Sequence, residues 1–382
     1  MEAMKEQTYA AAREVAPAVR AHLVHSLDEA RARAEGNLAS IPDQREIARM
    51  IDAAFWASLR REEGFAPKIS LAFARPEETV HPLLFERRVP LEPGPLTRVA
   101  PAVERPGIHL GVSLDEGELS VWGTARAIPK YCCVIEVAEP GLLVVKHHRG
   151  DAHAKFVNVA VLQGDQVKVV DENASSLPDC PSLLASLLGF DSPASWTGST
   201  NVLVQLAVSM RAHRRGGLML VVPADTAAWR ESVVQPMSYA IAPAFSELAS
   251  LSRGPSDGAS PRAWREELSR SVDAVAGLTA IDGATVITAE YQVLTFGAKI
   301  ARRKGSSQVD QLTLTEPIEG SAAEILTPGH LGGTRHLSAA QFVHDQRDAL
   351  ALVASQDGRF TVFAWSPCEA MVHAHRIEAL LL

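Results

Sequence analysis

The sequence predicts an α+β chain: a helical leader, then an antiparallel β region, then a region in which helices and strands alternate. Three shifts of pattern carry this reading. Ala, Arg, Glu and Leu dominate from Glu2 to Glu63, with Gly36, Pro42 and Gly64 as punctuation. Short β-branched runs broken by turn residues fill the stretch from Ile69 to Glu172. From Val202 onward helical spacing returns and alternates with apolar runs. The corresponding domains are a helical leader over 1–66, an antiparallel β region over 67–172, a linker over 173–198 and a ligand-binding domain over 199–382.

In the β region the expected strands are Ile108 to Leu114, Leu119 to Thr124, Cys132 to Val137, Leu142 to His147, Phe156 to Leu162 and Gln166 to Val170. Pro178, Pro181, Pro193 and several serines mark the linker, with one short helix expected at Ser182 to Leu188. Val202, Leu206 and Met210 then share a helical face, opened by Ser199, Thr200 or Asn201 as cap and closed by Arg214, Arg215 and Gly216-Gly217. A buried strand, Leu218 to Val222, stops at Pro223. A mostly helical stretch is expected to reach Leu278, interrupted by the polar loop Ser252 to Pro261. Ala284 to Thr288 and Gln292 to Phe296 read as two strands, followed by a basic excursion, Lys299 to Lys304, and a loop through Gly329. Arg335 to Gln346 reads as helix, and Ala349 to Ala354 with Phe360 to Trp365 as a hairpin across Asp357-Gly358.

Composition bounds the function. At 382 residues, 47% hydrophobic and 21% charged, the chain can bury two cores of ordinary size. A net charge of -8 repels nucleic acid and anionic membranes except where basic residues gather locally. Met1 to Leu27 lacks the continuous apolar core of a signal peptide, and no stretch approaches the roughly 20 apolar residues of a membrane span. Cys132, Cys133, Cys180 and Cys368 are too few and too irregular for a disulfide framework. A reducing cytoplasm is the expected location.

Two constellations carry chemistry. Asp282-Gly283-Ala284 offers a carboxylate on tight backbone; read alone, it is a turn entering a strand. Gly333-Thr334-Arg335-His336 sets a guanidinium and an imidazole at a helix start, where free N–H groups suit phosphate oxygens. Its plainer reading is a capped helix with Arg335 and His336 in solvent. Together they describe a nucleotide pocket. Lys299, Arg302, Arg303 and Lys304 with Gly305-Ser306-Ser307 lack the spacing of a phosphate-binding loop and read as a solvated insertion; a weaker version has it reach over a bound nucleotide. His147-His148 with His153, and His373 with His375, have no Cys or carboxylate at ligand spacing and read as surface histidines.

Taken in order, Gly217 to Val222, Asp282 to Ile287, Gly333 to His336 and Ala351 to Gly358 resemble the diadenylate cyclase (DAC) domain over roughly Ser199 to Trp365. That resemblance implies an α/β sandwich around a mixed sheet and a homodimer of ATP-loaded domains meeting face to face. It also implies that Asp282 holds Mg2+ or Mn2+ and helps to activate a ribose hydroxyl, that Thr334, Arg335 and His336 contact the triphosphate, and that Gly283, Ala284, Gly333, Ser355 and Gln356 complete the nucleotide site. Two departures argue against turnover. Leu337 stands where active members carry a second Arg, a contact worth on the order of 1.5 to 3 kcal/mol, and Gln356 stands where they carry an acid. Asp357 could replace that acid. The long insertion between Ala298 and Gly332 and the added N-terminal β region further resemble the DAC-derived sensor proteins of the DACNV type. The resemblance therefore implies a sensor that binds ATP or a (cyclic di)nucleotide and passes a signal to an effector protein. The alternative is an active cyclase making cyclic di-AMP and pyrophosphate from two ATP.

Overall fold

The computed structural model describes residues 8–149, 155–171, 201–237, 239–255 and 260–382. The chain divides into two compact units, Met1–Asp171 with Leu382, and Glu172–Leu381. The expected linker 173–198, the short helix within it, Cys180 and His153 lie outside the described residues.

In the first unit α1 (Ala10–Ala32) buries Ala12, Val15, Ala16, Val19 and Leu23 along one stripe. Helix α2 (Gln44–Ser58) opens on a capping box: Asp43 accepts from the Glu46 N–H at 2.7 Å while Glu46 accepts from the Asp43 N–H at 2.6 Å. The strands are β1 (Ser70–Phe73), β2 (Leu83–Pro90), β3 (His109–Asp115), β4 (Glu118–Ala125), β5 (Cys133–Glu139), β6 (Leu142–Arg149), β7 (Lys155–Gln163) and β8 (Gln166–Val169), with α3 (Pro93–Val99) between β2 and β3. They form one sheet in the order β2-β4-β3-β1-β5-β6-β7-β8. Side chains from α1 and α2 share a core with Leu71, Leu110, Ile135, Leu143 and Val145 of this sheet. Each such side chain, fully buried, contributes about 1.5–3 kcal/mol.

The sheet corrects one expectation. It is mixed, not antiparallel, because β1 runs parallel to β3 while pairing antiparallel with β5. The 35 residues between β1 and β3 hold β2 and α3, enough chain for the crossover that parallel neighbours need.

In the second unit Asn201 caps α4 (Val202–Ala212), accepting from the N–H groups of Leu203 and Val204 at 3.1 and 3.2 Å. There follow β9 (Gly217–Val222), β10 (Tyr239–Phe245), α5 (Glu247–Leu251), α6 (Pro261–Leu278), β11 (Ala284–Thr288), β12 (Val293–Ala298), β13 (Leu312–Thr315), β14 (Glu324–Leu326), α7 (Pro328–Leu331), α8 (Thr334–Asp345), β15 (Leu350–Ala354), β16 (Phe360–Ser366) and β17 (Met371–Arg376). The sheet order is β10-β12-β11-β9-β15-β16-β17-β13-β14, with β9/β11 and β13/β17 parallel. Every residue of β9, β11, β15 and β16 is buried, the signature of strands covered on both faces. Leu218, Leu220, Ala351 and Val353 pack with Ala339, Ala340, Phe342 and Val343 of α8. Met219, Val221, Leu350 and Leu352 pack on the other side with Leu206 and Met210 of α4 and Val272 and Val275 of α6. The fold class is α+β, as the sequence predicts, with a mixed sheet in each unit.

Three readings of this half are corrected. The stretch after Pro223 is not mostly helical: it holds β10, an edge strand whose residues are largely exposed, so it lacks the apolar pattern that marks a strand in sequence. The expected loop through Gly329 contains β13 and β14, four and three residues long, of which β14 forms the sheet edge and β13 lies between it and β17. His147, His373 and His375 are buried, not on the surface. His375 lies within β17, its Nδ1 is 2.6 Å from Thr315 Oγ1, and burial pushes its pKa down to about 3. It is a neutral core imidazole.

Candidate functional site

The parallel pair β9 and β11 begin at the same end of the sheet, where β15 ends. Helix α8 starts over that end, and β12 brings Ala298 opposite Ala284. These elements enclose a cleft of about 750 Å³. All ten residues singled out in the sequence line it: Asp282, Gly283, Ala284, Gly333, Thr334, Arg335, His336, Ser355, Gln356 and Asp357. Leu218, Ala284, Ala298, Leu331 and Val353 give it an apolar floor.

The backbone here is shaped by glycine. Gly283 has φ +114°, and a Cβ on it would lie 2.4 Å from the Gly297 carbonyl carbon, so the turn that projects Asp282 admits no side chain. A Cβ on Gly332 would lie 2.3 Å from Nδ1 of His336, so that glycine makes room for the imidazole. Gly333 caps α8 without a side chain, and the His336 N–H bonds back to the Gly333 carbonyl at 2.9 Å. The N–H groups of Thr334 and Arg335 precede any residue four back within the helix and face outward from its first turn. Arg335 lays its guanidinium against Gly216, where a Cβ would come within 2.8 Å of Nη1.

The charges are arranged as an anion site with one acidic wall. Lys299, Arg335 and Arg359 line the cleft with Asp282 and Asp357, so a chain of net charge -8 presents here more cations than carboxylates. The α8 N-terminus adds positive partial charge. Lys299 Nζ donates to Asp282 Oδ2, and that hydrogen bond, with a smaller effect of Arg335, holds the Asp282 carboxyl below the usual carboxylate range. Asp282 and Arg335 are therefore within electrostatic reach of each other. His336 differs from its expected role. It is 7% exposed and packs edge-on to Phe363, and burial lowers its pKa although Asp357 opposes the shift. The helix entry is thus singly cationic: Arg335 carries the charge and His336 supplies a neutral imidazole.

Sequence reasoning does not single out Ser338 or Arg359 as lining residues, and names Lys299 only within the weaker reading of the basic run. Lys299 was legible in principle, because a β11–β12 hairpin that sets residue 298 against residue 284 must set residue 299 beside the Asp282 turn. The basic run is correspondingly not one solvated insertion: Lys299 faces this cleft, while Arg303 pairs with Glu231 at 2.7 Å. Leu337 is 45% exposed and is not among the lining residues. As for a divalent metal, the donor set fits poorly. Among the described residues no group of three or more His, Cys, Asp or Glu is gathered for one, and the Asp282 carboxylate already holds an ammonium. Among the described residues, too, no helix is long and apolar enough to cross a membrane.

A solved structure described as a hypothetical membrane spanning protein from Bacillus cereus is similar over 50% of this chain and 70% of its own, at 15% identity and a TM-score of 0.28. No curated protein matches. Residues 36–126 match the family model described as Probable sensor domain DACNV, a stretch running from the end of α1 through β4. That stretch of the N-terminal unit is similar to the probable sensor domain DACNV, consistent with the DAC-derived sensor family.

Proposed function

We propose that the chain is a nucleotide-binding sensor protein whose C-terminal unit is a degenerate diadenylate cyclase domain, binding ATP or a (cyclic di)nucleotide without efficient turnover. One observation carries this reading: Asp282, Ser355 to Asp357 and Gly333 to His336, up to 75 residues apart in the chain, line a single cleft built on a helix N-terminus. Backbone N–H groups and a guanidinium there suit phosphate oxygens, and the apolar floor suits a base or ribose face. The DACNV match in the N-terminal unit supports a sensory role. Gln356, an amide in the cleft where active cyclases carry an acid, and the neutral His336 weigh against efficient phosphoryl transfer, which depends on charge placed at the phosphates. The buried thiols Cys132 and Cys133, both pushed to high pKa by burial, agree with a cytoplasmic protein in which cysteine serves packing. A homodimer and an effector protein complete the proposal.

The second reading, an active cyclase, is favoured by Asp357, which lines the same cleft one residue beyond Gln356. The two separate in one assay: purified full chain with ATP and manganese, products resolved by chromatography, beside a thermal-shift screen of nucleotides. A thermal shift without product is the expected result, and saturation at 100-fold over Kd adds about 2.7 kcal/mol. Cyclic di-AMP formation that disappears in Asp282→Asn would replace the sensor with the enzyme.

A further inference from the structure

We propose that Lys299 is the cation of this cleft: its ammonium occupies the place beside Asp282 that a divalent metal would take, so a phosphate-bearing ligand binds without one. The inference rests on the nucleotide reading of the cleft and adds to it the source of positive charge.

The pair itself is the first ground. Lys299 Nζ donates to the Asp282 carboxylate, and both residues line the cleft with Arg335 and the start of α8. The second is that Lys299 is delivered by fixed backbone. The Val234 N–H donates to the Lys299 carbonyl at 2.8 Å and the Ala301 N–H donates to the Ser232 carbonyl at 3.0 Å, framing a β-bridge between Val233 and Ile300. Farther along, the Arg303 N–H and the Ser306 hydroxyl donate to the buried Asp345 carboxylate at 2.8 and 2.5 Å, and Gln341 Nε2 donates to the Ser307 carbonyl at 3.0 Å. The lysine thus stands on a strap tied at both sides, not on a loose insertion.

The third ground is what the pair does for fold and for ligand. Its side chains are 57% and 87% exposed, and an ion pair so open to solvent adds little to folding stability. For a phosphate arriving at the α8 N-terminus the effect is larger. Unpaired, Asp282 would repel it; paired, the acid is neutralised and the ammonium adds a compact charge-assisted donor. A divalent ion seated on Asp282 would meet that ammonium as a like charge, and among the described residues no group of three ligands is gathered to offset the repulsion.

The test uses isothermal titration of the full chain with ATP and with cyclic di-AMP, in EDTA and in magnesium. Wild type is expected to bind at affinities that agree within about twofold between the two conditions. Lys299→Met is expected to lose about tenfold or more in EDTA and to recover in magnesium. Wild type that binds nucleotide only with metal, or Lys299→Met that binds as wild type does in EDTA, overturns the proposal and leaves the nucleotide reading standing. Absence of binding to either nucleotide under both conditions overturns both.

Discussion

The two ends of helix α8 each border a cleft, of about 750 and 870 Å³, and each cleft holds an aspartate, a nearby histidine and arginines. They are not equivalent. At the C-terminal end the side chain of Asp345 is fully buried, and it accepts from the Arg303 N–H, the Ser306 hydroxyl and Gln341 Nε2. Its acceptor capacity is spent on closing the 303–309 strap. At the N-terminal end Asp282 projects from a positive-φ glycine turn into solvent, held by the exposed ammonium of Lys299 and the Gly283 N–H, and the backbone donors beside it are those a helix leaves unpaired. A buried carboxylate with several donors packed around it is a structural clamp; one held mainly by an exposed ammonium remains open to exchange partners. Volume alone does not separate them.

The largest effect that would sharpen this contrast is on stability. Asp345→Ala strands several buried donors at once and is expected to cost about 3 kcal/mol, read as a lower midpoint in urea at unchanged slope. Asp282→Ala is expected to leave that midpoint where it is. Equal losses in the two variants would erase the distinction between clamp and site.

How far the distinction was legible in sequence follows from what each signal needs. Strands buried on both faces announce themselves as continuous apolar runs, which is why the expected strands Leu218 to Val222 and Ala349 to Ala354 fall within one residue of β9 and β15. Asp-Gly and Gly-Thr-Arg-His point to the cleft because they couple charge to special backbone, whereas Ser355 to Asp357 enter only through the family resemblance. The edge strands β10 and β14 leave no period to read, since each pairs on one side and is largely exposed, and β13 is only four residues long. The neutral state of His336 escaped as well. Its burial depends on Gly332 and Phe363, one four residues before and one 27 residues on, and only the folded chain sets the three together. Lys299 was hidden by its neighbours, whose positive charges made one residue of the site look like part of a solvated run.

The next effect is on affinity. Arg335→Ala is expected to weaken ATP or cyclic di-AMP binding by about tenfold to a hundredfold, the range of a lost charge-assisted contact, as measured by titration calorimetry. Arg347→Ala, at the other end of the helix, removes a guanidinium that lies 4.1 Å from the centre of the Trp365 ring. It is expected to leave affinity unchanged while lowering stability by about 0.5–1 kcal/mol. Weakened binding in Arg347→Ala would move the nucleotide to the second cleft and invert the comparison.

The smallest effect concerns Leu337, where the family resemblance places a second phosphate-clamping arginine. In the fold this position is 45% exposed and lies outside the set of cleft residues, one step around the helix from the buried His336. A guanidinium there would stay in water, where its attraction for a bound phosphate is screened and the entropy of holding a long side chain offsets most of it. Leu337→Arg is therefore expected to shift stability by less than about 0.5 kcal/mol and nucleotide affinity by less than about threefold, with no cyclic di-AMP appearing in the chromatographic assay. A tenfold gain, or product, would mean that the first turn of α8 rotates to bring residue 337 onto the ligand. The contrast between the two helix ends would then be one of mobility as much as of charge.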